Sequence, residues 1–359
     1  MSRWISVADQ LYRAMVPMVN RTDAQVAHSS FIAALRLADA VPPFWGALQP
    51  NRPLEVGGVV LPSPFILAAG LVKGDGFADE GAAMDAVQAG RNIIPGWRTM
   101  PALAGAVEFG SFTRYPRLGN AGRVLWRDGK TRSTQNRVGL RNPGIEAAIA
   151  FLIRHRKQLP AVYGINIAVT PGLEDADQEA REVQQATEII SSANIAPSWV
   201  TLNISCPNTE DDPAGHQTEE KATRLCKIMV REMAEIPVWV KVSPNLAREQ
   251  YAALMSAFRE ARVRGVIATN TVATPTPTGD GMAGLGGGGL HRAALAAVQA
   301  IQAEQTDPFI DVIGCGGIMD QASINPFAAL GVQAFQYYSA LIYRGLLAAT
   351  ILNHEYRPE

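Results

Sequence analysis

The stretch SWVTLNIS, residues 198–205, is a near-continuous apolar run that stops in Asn203 and Ser205, with Cys206 and Asn208 just beyond. A strand buried on both faces, as in a parallel sheet covered by helices, reads as such an unbroken run rather than as an alternation. Seven further runs have the same character: PFILAAG (64–70), AGAVEFGSF (104–112), VYGINIAV (162–169), PVWVKVSP (237–244), GVIATNT (265–271), FIDVIGCGG (309–317) and AFQYYSA (334–340). Helical spacing of apolar residues separates them, as in NPGIEAAIAFLIRHRKQL (142–159, with Asn142 as its cap), LAREQYAALMSAFREARV (246–263) and HRAALAAVQAIQAEQ (291–305). Eight such strands alternating with helices predict a (β/α)8 TIM barrel. A doubly wound sheet shares the local pattern and stays the alternative, because closure of a ring leaves no local signature.

The runs end in chemistry. Lys73 follows the first; Ser111 ends the second and Asn166 the third. Asn203, Ser205 and Cys206 end the fourth, Lys241 the fifth, and Thr269, Asn270 and Thr271 the sixth. GCGG (314–317) ends the seventh, and Tyr338 and Ser339 the eighth. In a barrel the carboxyl ends of the strands form the active face. Singly, each of these residues reads as a satisfied buried amide or a capping hydroxyl; together they predict a site.

Composition excludes several classes. The 359 residues are 47% hydrophobic and 18% charged with a net charge of -1, an ordinary globular balance without the basic surface that nucleic acid requires. Three scattered cysteines (206, 226 and 315) argue against a disulfide framework, a CxxC metal site or an iron–sulfur centre, and fit a reducing cytoplasm. The five histidines lack metal-ligand spacing. No apolar run is long enough to span a bilayer, and the N-terminus does not have the order of a signal peptide. Residues 1–50 read as a helical hairpin preceding a barrel domain of residues 51–359. Trp4, Ile5, Ala8, Leu11, Tyr12, Met15, Val16 and Val19 share one face of the first helix. Asp23 is placed to cap a second helix that carries Val26, Ala27, Phe31, Ile32 and Leu35. The Pro-rich VPPFWGALQPNRP (41–53) links the hairpin to the barrel.

The glycine-rich GLGGGGL (284–290) and GCGGI (314–318) leave backbone N–H groups free to cradle a phosphate, and loops after the last barrel strands are the usual phosphate site. Asn136, Asn203, Asn208 and Asn270 offer donor and acceptor together, which suits a planar ligand with carbonyls and ring N–H groups. Lys73 and Lys241 supply positive charge for a carboxylate or a reduced flavin. A thiol with an ordinary pKa of about 8.5 is partly ionised near neutral pH, so Cys206 suits a nucleophile or a general base. No histidine near it in sequence activates it, which favours the base; a buried structural cysteine is the bland alternative.

AAGLVK (68–73), VEFGSFTRYPRLGN (107–120), NRVGLRNPG (136–144), GINI (164–167), NISCPNT (203–209), VKVSPN (240–245), GVIATNT (265–271), IGCGGI (313–318) and QYYSALIYRG (336–345), in that order, resemble the dihydroorotate dehydrogenases over nearly the whole chain, most strongly in NISCPNT. The resemblance implies a barrel with bound FMN that oxidises dihydroorotate to orotate in pyrimidine biosynthesis. A hydride passes from C6 to the flavin and a base takes the C5 proton. It assigns that base to Cys206. It gives the pyrimidine to Lys73, Asn136, Asn203, Asn208, Asn270 and Thr271, with Gly139 and Leu140 at the rim. Ala68, Ala69, Lys73, Ser111, Asn166, Lys241 and Thr269 are assigned to the flavin, and Gly287, Gly316, Gly317, Tyr338 and Ser339 to its ribityl phosphate.

The family divides by electron acceptor. DAQVAHSSF (23–31) resembles the N-terminal extension of the quinone-using, membrane-associated class, with His28, Arg127 and Tyr338 at positions that match its quinone tunnel. The resemblance therefore implies a quinone partner and contact of residues 1–50 with the inner face of the cell membrane. Cys206 stands where that class usually has serine, which keeps open a soluble-class enzyme using fumarate or NAD. Residues 86–100 resemble an insertion, Val72 replaces a polar or acidic residue, AGLGG (283–287) replaces Gly-Gly-Leu-Ser-Gly, and TEDDPAGHQ (209–217) departs from the usual lid. The rival readings are a dihydropyrimidine-type dehydrogenase, against which Asn208 argues, a phosphate-binding barrel isomerase or lyase, and a non-catalytic flavin-binding homologue.

Overall fold

The computed structural model describes residues 3–43, 51–173, 175–205 and 218–357. Helices α1 (Arg3–Arg21) and α2 (Ala24–Ala38) come first. A short antiparallel hairpin follows, β1 (Leu54–Val56) and β2 (Val59–Leu61). Then come β3 (Phe65–Leu67), β4 (Ala106–Phe112), β5 (Leu125–Asp128), β6 (Ser133–Asn136), β7 (Tyr163–Ala168), β8 (Trp199–Asn203) and β9 (Val238–Val242). The last are β10 (Gly265–Ala268), β11 (Val272–Pro275), β12 (Met282–Gly287), β13 (Asp311–Cys315) and β14 (Ala334–Tyr337). Strands β3, β4, β7, β8, β9, β10, β13 and β14 pair in parallel in chain order, and β14 returns to β3 to close the barrel. These are the eight runs read from the sequence, and the closed barrel replaces the doubly wound alternative.

Alternation along each strand divides the side chains into an outer and an inner set. Val107, Phe109, Ile165, Val200, Leu202, Val240 and Phe335 point outward into the layer of helices and form the main core. Inside, Ile66, Ala106, Trp199, Trp239, Ile267, Ile313 and Ala334 make an apolar floor to which every barrel strand except β7 gives a side chain. At that level β7 has Gly164, where a Cβ would lie 2.1 Å from the Trp199 ring. The glycine makes room for the stacked pair Trp199 and Trp239, whose centroids are 4.6 Å apart. The β1–β2 hairpin seals this end with Val56, Val59 and Leu61. Its turn, Gly57-Gly58, has positive φ at both positions, and the Trp239 indole N–H donates to Gly57 O at 3.1 Å.

Two insertions leave the carboxyl ends of β4 and β10 and combine into a four-stranded antiparallel sheet in the order β11-β12-β6-β5. The sequence reading did not contain this sheet. The cap expected of Asn142 is also corrected: the helix Ile145–Arg154 starts after Gly144, and the Asn142 amide instead joins Thr113, Leu140 and Gly144 across the loop.

The helical hairpin forms as expected, and Asp23 accepts from the N–H groups of Gln25 and Val26 at the start of α2. The expected face of α1 divides. Ile5 is buried, Tyr12 and Val16 are half-buried, and Leu11 and Met15 are exposed; the Trp4 side chain and the linker residues 44–50 lie outside the described residues. Asp9, which the apolar pattern passed over, fastens α1: its carboxylate meets the Arg344 guanidinium in a two-point pair at 3.0 and 3.1 Å. Arg344 also donates to Glu355 and to Met319 O, and the Tyr12 hydroxyl donates to Ile342 O at 2.9 Å. At the far end of α2 the Asp39 carboxylate accepts from Asn92, Gly96, Arg98 and Thr99, so the apparent insertion at 86–100 is a seat for the hairpin. Removing one partner of a buried ion pair costs about 3–5 kcal/mol where the other is left unpaired; Asp9 keeps a second partner, Arg13 at 2.9 Å, which holds the loss to the lower end of that range. Arg344→Ala is therefore expected to lower unfolding stability by roughly 3 kcal/mol in denaturant titration.

Candidate active site

Above the tryptophan floor the barrel interior turns polar. Glu108 on β4 is fully buried. Its Oε1 accepts from Trp199 Nε1 at 3.1 Å and from the Thr201 hydroxyl. Its Oε2 accepts from Asn166 Nδ2 at 3.2 Å and Gln336 Nε2 at 3.1 Å. Gln336 Oε1 in turn accepts from Lys241 Nζ at 2.9 Å. Five strands thus contribute to one layer in which a buried carboxylate and a buried ammonium are bridged by an amide. Burial raises the thiol pKa of Cys315, at the end of β13, and the neighbouring Lys241 opposes that rise.

A second cluster lies at the strand ends. Asn203 Nδ2 donates to Ser111 Oγ at 3.1 Å, and Asn203 Oδ1 accepts from the Ser205 N–H and the Asn270 amide, each at 3.2 Å. The Ser205 hydroxyl donates to Lys241 O at 2.9 Å, and Asn270 Oδ1 accepts from the Thr271 N–H at 2.8 Å. Thr269 is buried beside them, its N–H donating to Cys315 O. Two atoms stand out: Asn166 Oδ1 and Thr271 Oγ1 are buried and have no hydrogen-bond partner, which a folded chain tolerates rarely.

Around this core, Ala68 is buried and Ala69 half-buried after β3, and the Tyr338 ring lies against Gly70. Thr134 and Ser339 hydroxyls meet at 2.9 Å, joining the small sheet to the end of β14. The two glycine turns meet as well: a Cβ on Gly317 would lie 2.9 Å from Gly287 O, and one on Gly316 would strike Ala294 at 2.4 Å. Asn136 ends β6 opposite Gly284. Gly139 and Leu140 lie in the following loop with positive φ, held by Arg117, Asn120 and Asn142. Cys206 and Asn208 lie outside the described residues.

His28 on α2 lies where burial, then the positive charges of Lys73 and Arg141, push its pKa from 6.5 to about 4. The second helix of the hairpin meets the loop after β3 directly, where Arg36 pairs with Asp75, two residues beyond Lys73, at 2.8 Å. Arg127 on β5 donates to Thr22 O at 2.6 Å, between the two helices. Burial raises the Tyr338 phenol to about 12. The sequence reading missed Glu108, Thr201 and Gln336. A glutamate inside the apolar run AGAVEFGSF was the available signal, since a charge in a doubly buried strand requires partners. Among the described residues no cluster of His, Cys, Asp or Glu suits a metal ion.

A closed barrel with a polar ring, a buried lysine and paired glycine turns at its carboxyl end defines a (β/α)8-barrel enzyme. A family model described as dihydroorotate dehydrogenase matches residues 54–356, so the chain belongs to the dihydroorotate dehydrogenase family. It is 29% identical over 360 residues to a Bordetella avium protein named dihydroorotate dehydrogenase (quinone), covering 95% of each chain. A Chromobacterium violaceum protein of the same name is 30% identical over 353 residues, with 93% of this chain and 94% of that one covered. The crystal structure of DHODH from Eimeria tenella in complex with ferulenol has the same fold: the TM-score is 0.75 at 20% identity, over 95% of this chain and 93% of that one.

The depressed pKa of His28 fixes a pH dependence. The unfolded chain takes up a proton near 6.5 and the folded chain only near 4. Stability from this site is complete above about 6.5 and is lost as pH falls towards 4. His28→Gln is expected to flatten that part of the decline, read as a smaller difference in Tm between neutral buffer and pH of about 5.

Proposed function

We propose that this protein oxidises dihydroorotate to orotate with FMN as its resident redox group and passes the electrons to a quinone. The observation that supports this best is the convergence of the polar strand-end residues on one face of the barrel, in a chain of the dihydroorotate dehydrogenase family. The site fits FMN on its own chemistry. Asn166 Oδ1 is a buried acceptor without a donor, and Thr271 Oγ1 a buried hydroxyl without a partner. A flavin ring N–H satisfies the first, and the second is left for the pyrimidine.

Ala68, Ala69, Lys73, Ser111, Asn166, Lys241 and Thr269 line the flavin in this reading, and Gly287, Gly316, Gly317, Tyr338 and Ser339 hold its ribityl phosphate. FMN, when bound, accepts the hydride that leaves C6 of the substrate. The chain supplies the rest. Asn136, Asn203, Asn208, Asn270 and Thr271 match donors and acceptors around the pyrimidine, Gly139 and Leu140 border it, and Lys73 faces its carboxylate. The Cys206 thiolate takes the C5 proton. Lys241 sets a fixed positive charge beside the site, and the tryptophan floor keeps water from entering from below.

The quinone assignment is supported by the names of the relatives and by the hairpin. The Arg36–Asp75 pair holds α2 against the loop that carries Lys73. On the outer face of α1, Val7, Leu11, Met15 and Met18 are exposed at 50%, 64%, 51% and 71%, spaced to form one apolar stripe. Such a stripe suits peripheral contact with a membrane, the source of the quinone, so residues 1–50 form the acceptor-side unit and 51–359 the catalytic one. No helix of the described residues is long and apolar enough to cross a membrane.

Anaerobic titration tests the reading. Dihydroorotate is expected to bleach the flavin band of the purified protein, and among aliquots given quinone, fumarate or NAD the quinone aliquot is expected to regain colour fastest. A yellow protein that does not bleach overturns the substrate, and faster recovery with fumarate or NAD overturns the acceptor. Cys206→Ala is expected to slow bleaching by about 10²–10⁴-fold with FMN retained, the range for loss of a general base.

A further inference from the structure

Among the described residues Glu108 is the one carboxylate that the polar layer of the barrel encloses, and its partners identify its task. A carboxylate accepts and does not donate, whereas a side-chain amide does either depending on which way it is flipped. Asn166 and Gln336 both turn their NH2 groups to Glu108 Oε2, at 3.2 and 3.1 Å. Their carbonyl oxygens must then face away from it. For Gln336 that oxygen receives Lys241 Nζ at 2.9 Å; for Asn166 it is the buried acceptor without a partner. Trp199 and Thr201 hold the carboxylate from the other side, so it has little freedom to turn. Without the carboxylate, either amide is free to flip, and Asn166 would present a donor where it now presents an acceptor.

We propose that Glu108 is a positioning residue for the redox cofactor: it fixes the flips of Asn166 and Gln336, and so aims the Asn166 acceptor and the Lys241 ammonium at the flavin ring. This rests on the FMN reading above. Both oxygens of Glu108 are taken by protein donors. It acts through two amides, and it also supplies the negative charge that Lys241 faces across Gln336. Replacing it by glutamine removes that charge while keeping the volume. The field at the ring then becomes more positive, which favours the reduced, more negative flavin.

The test uses the full chain and needs no turnover. FMN is removed and returned while flavin fluorescence is followed, and the two-electron midpoint potential of the reloaded protein is measured against reference dyes. Glu108→Gln is expected to weaken FMN binding about tenfold or more, the scale of one hydrogen bond to a charged group, and to move the potential to more positive values. Gln336→Met breaks the bridge but leaves Glu108 its other three donors, and is expected to weaken binding in the same direction. The double variant is expected to be less than additive, because both changes break one chain of contacts. A Glu108→Gln protein that melts cooperatively and keeps both wild-type FMN affinity and wild-type potential overturns the proposal. If Glu108→Gln does not fold, unchanged FMN affinity and potential in Gln336→Met overturn it. Wild-type protein that fails to take up FMN overturns the cofactor reading instead, and the inference with it.

Discussion

A buried carboxylate without enough donors is among the most costly features a fold can carry, and this barrel is organised around one that has four. Glu108 marks the level where the interior changes character. Below it, Trp199 and Trp239 stack in a dry floor closed by the β1–β2 hairpin. Above it, amides, hydroxyls and an ammonium accumulate. Trp199 belongs to both levels, since its ring packs in the floor and its N–H reaches the carboxylate. A charge at the centre of the barrel therefore depends on an indole beneath it, and that indole depends on the missing side chain of Gly164. Packing and polarity are specified by the same few residues.

The hairpin of α1 and α2 is attached by different means. Leu35 joins the main core, with Val16, Phe31 and Ile32 packed against it, and polar clamps hold both ends: Asp9 with Arg344 near the start, Asp39 with the turn at 92–99 near the finish. This arrangement separates two duties. The clamps fix the helices to the barrel, so the apolar residues on the outer face of α1 are not needed for that purpose. They are left exposed, and His28 and Arg127 are left at the inner edge, where α2 meets β5 and the loop that carries Lys73.

Much of the barrel was legible because a doubly buried parallel strand has an unmistakable composition, and every one of the eight apolar runs is a barrel strand. The polar strand-end residues were legible for the complementary reason: Asn203, Asn270 and Lys241 interrupt runs that have no structural need of them. The small sheet was not. LWRD (125–128) and STQN (133–136) are short and half-exposed; they pair with each other as a local hairpin, but STQN also pairs with β12, far along the chain, and no pattern in the hairpin announces that partner. Glu108 was visible as a letter but not as a hub, because its partners come from three other strands and one of them from the far end of the chain. Asp9 failed the apolar pattern for a similar reason: a residue can face the interior because of its partner rather than its hydropathy. The Asn142 cap failed because the amide found better partners across the loop than along the helix.

The four-stranded sheet over the carboxyl end has a consequence for the order in which the protein matures. Its strands come from two insertions, one after β4 and one after β10, and it is tied to the barrel by a contact between Thr134 and Ser339, 205 residues apart. On the ribosome, β5 and β6 emerge long before β11 and β12, and wait as an isolated hairpin with too little surface to persist alone. The barrel itself closes only when β14 reaches β3. A nascent chain therefore holds an open, unroofed site until nearly all of it has been made, and such long-range pairing is slow. A small molecule that binds only the roofed site adds its binding free energy to the completed fold alone, so the finished barrel is more stable with that molecule than without it.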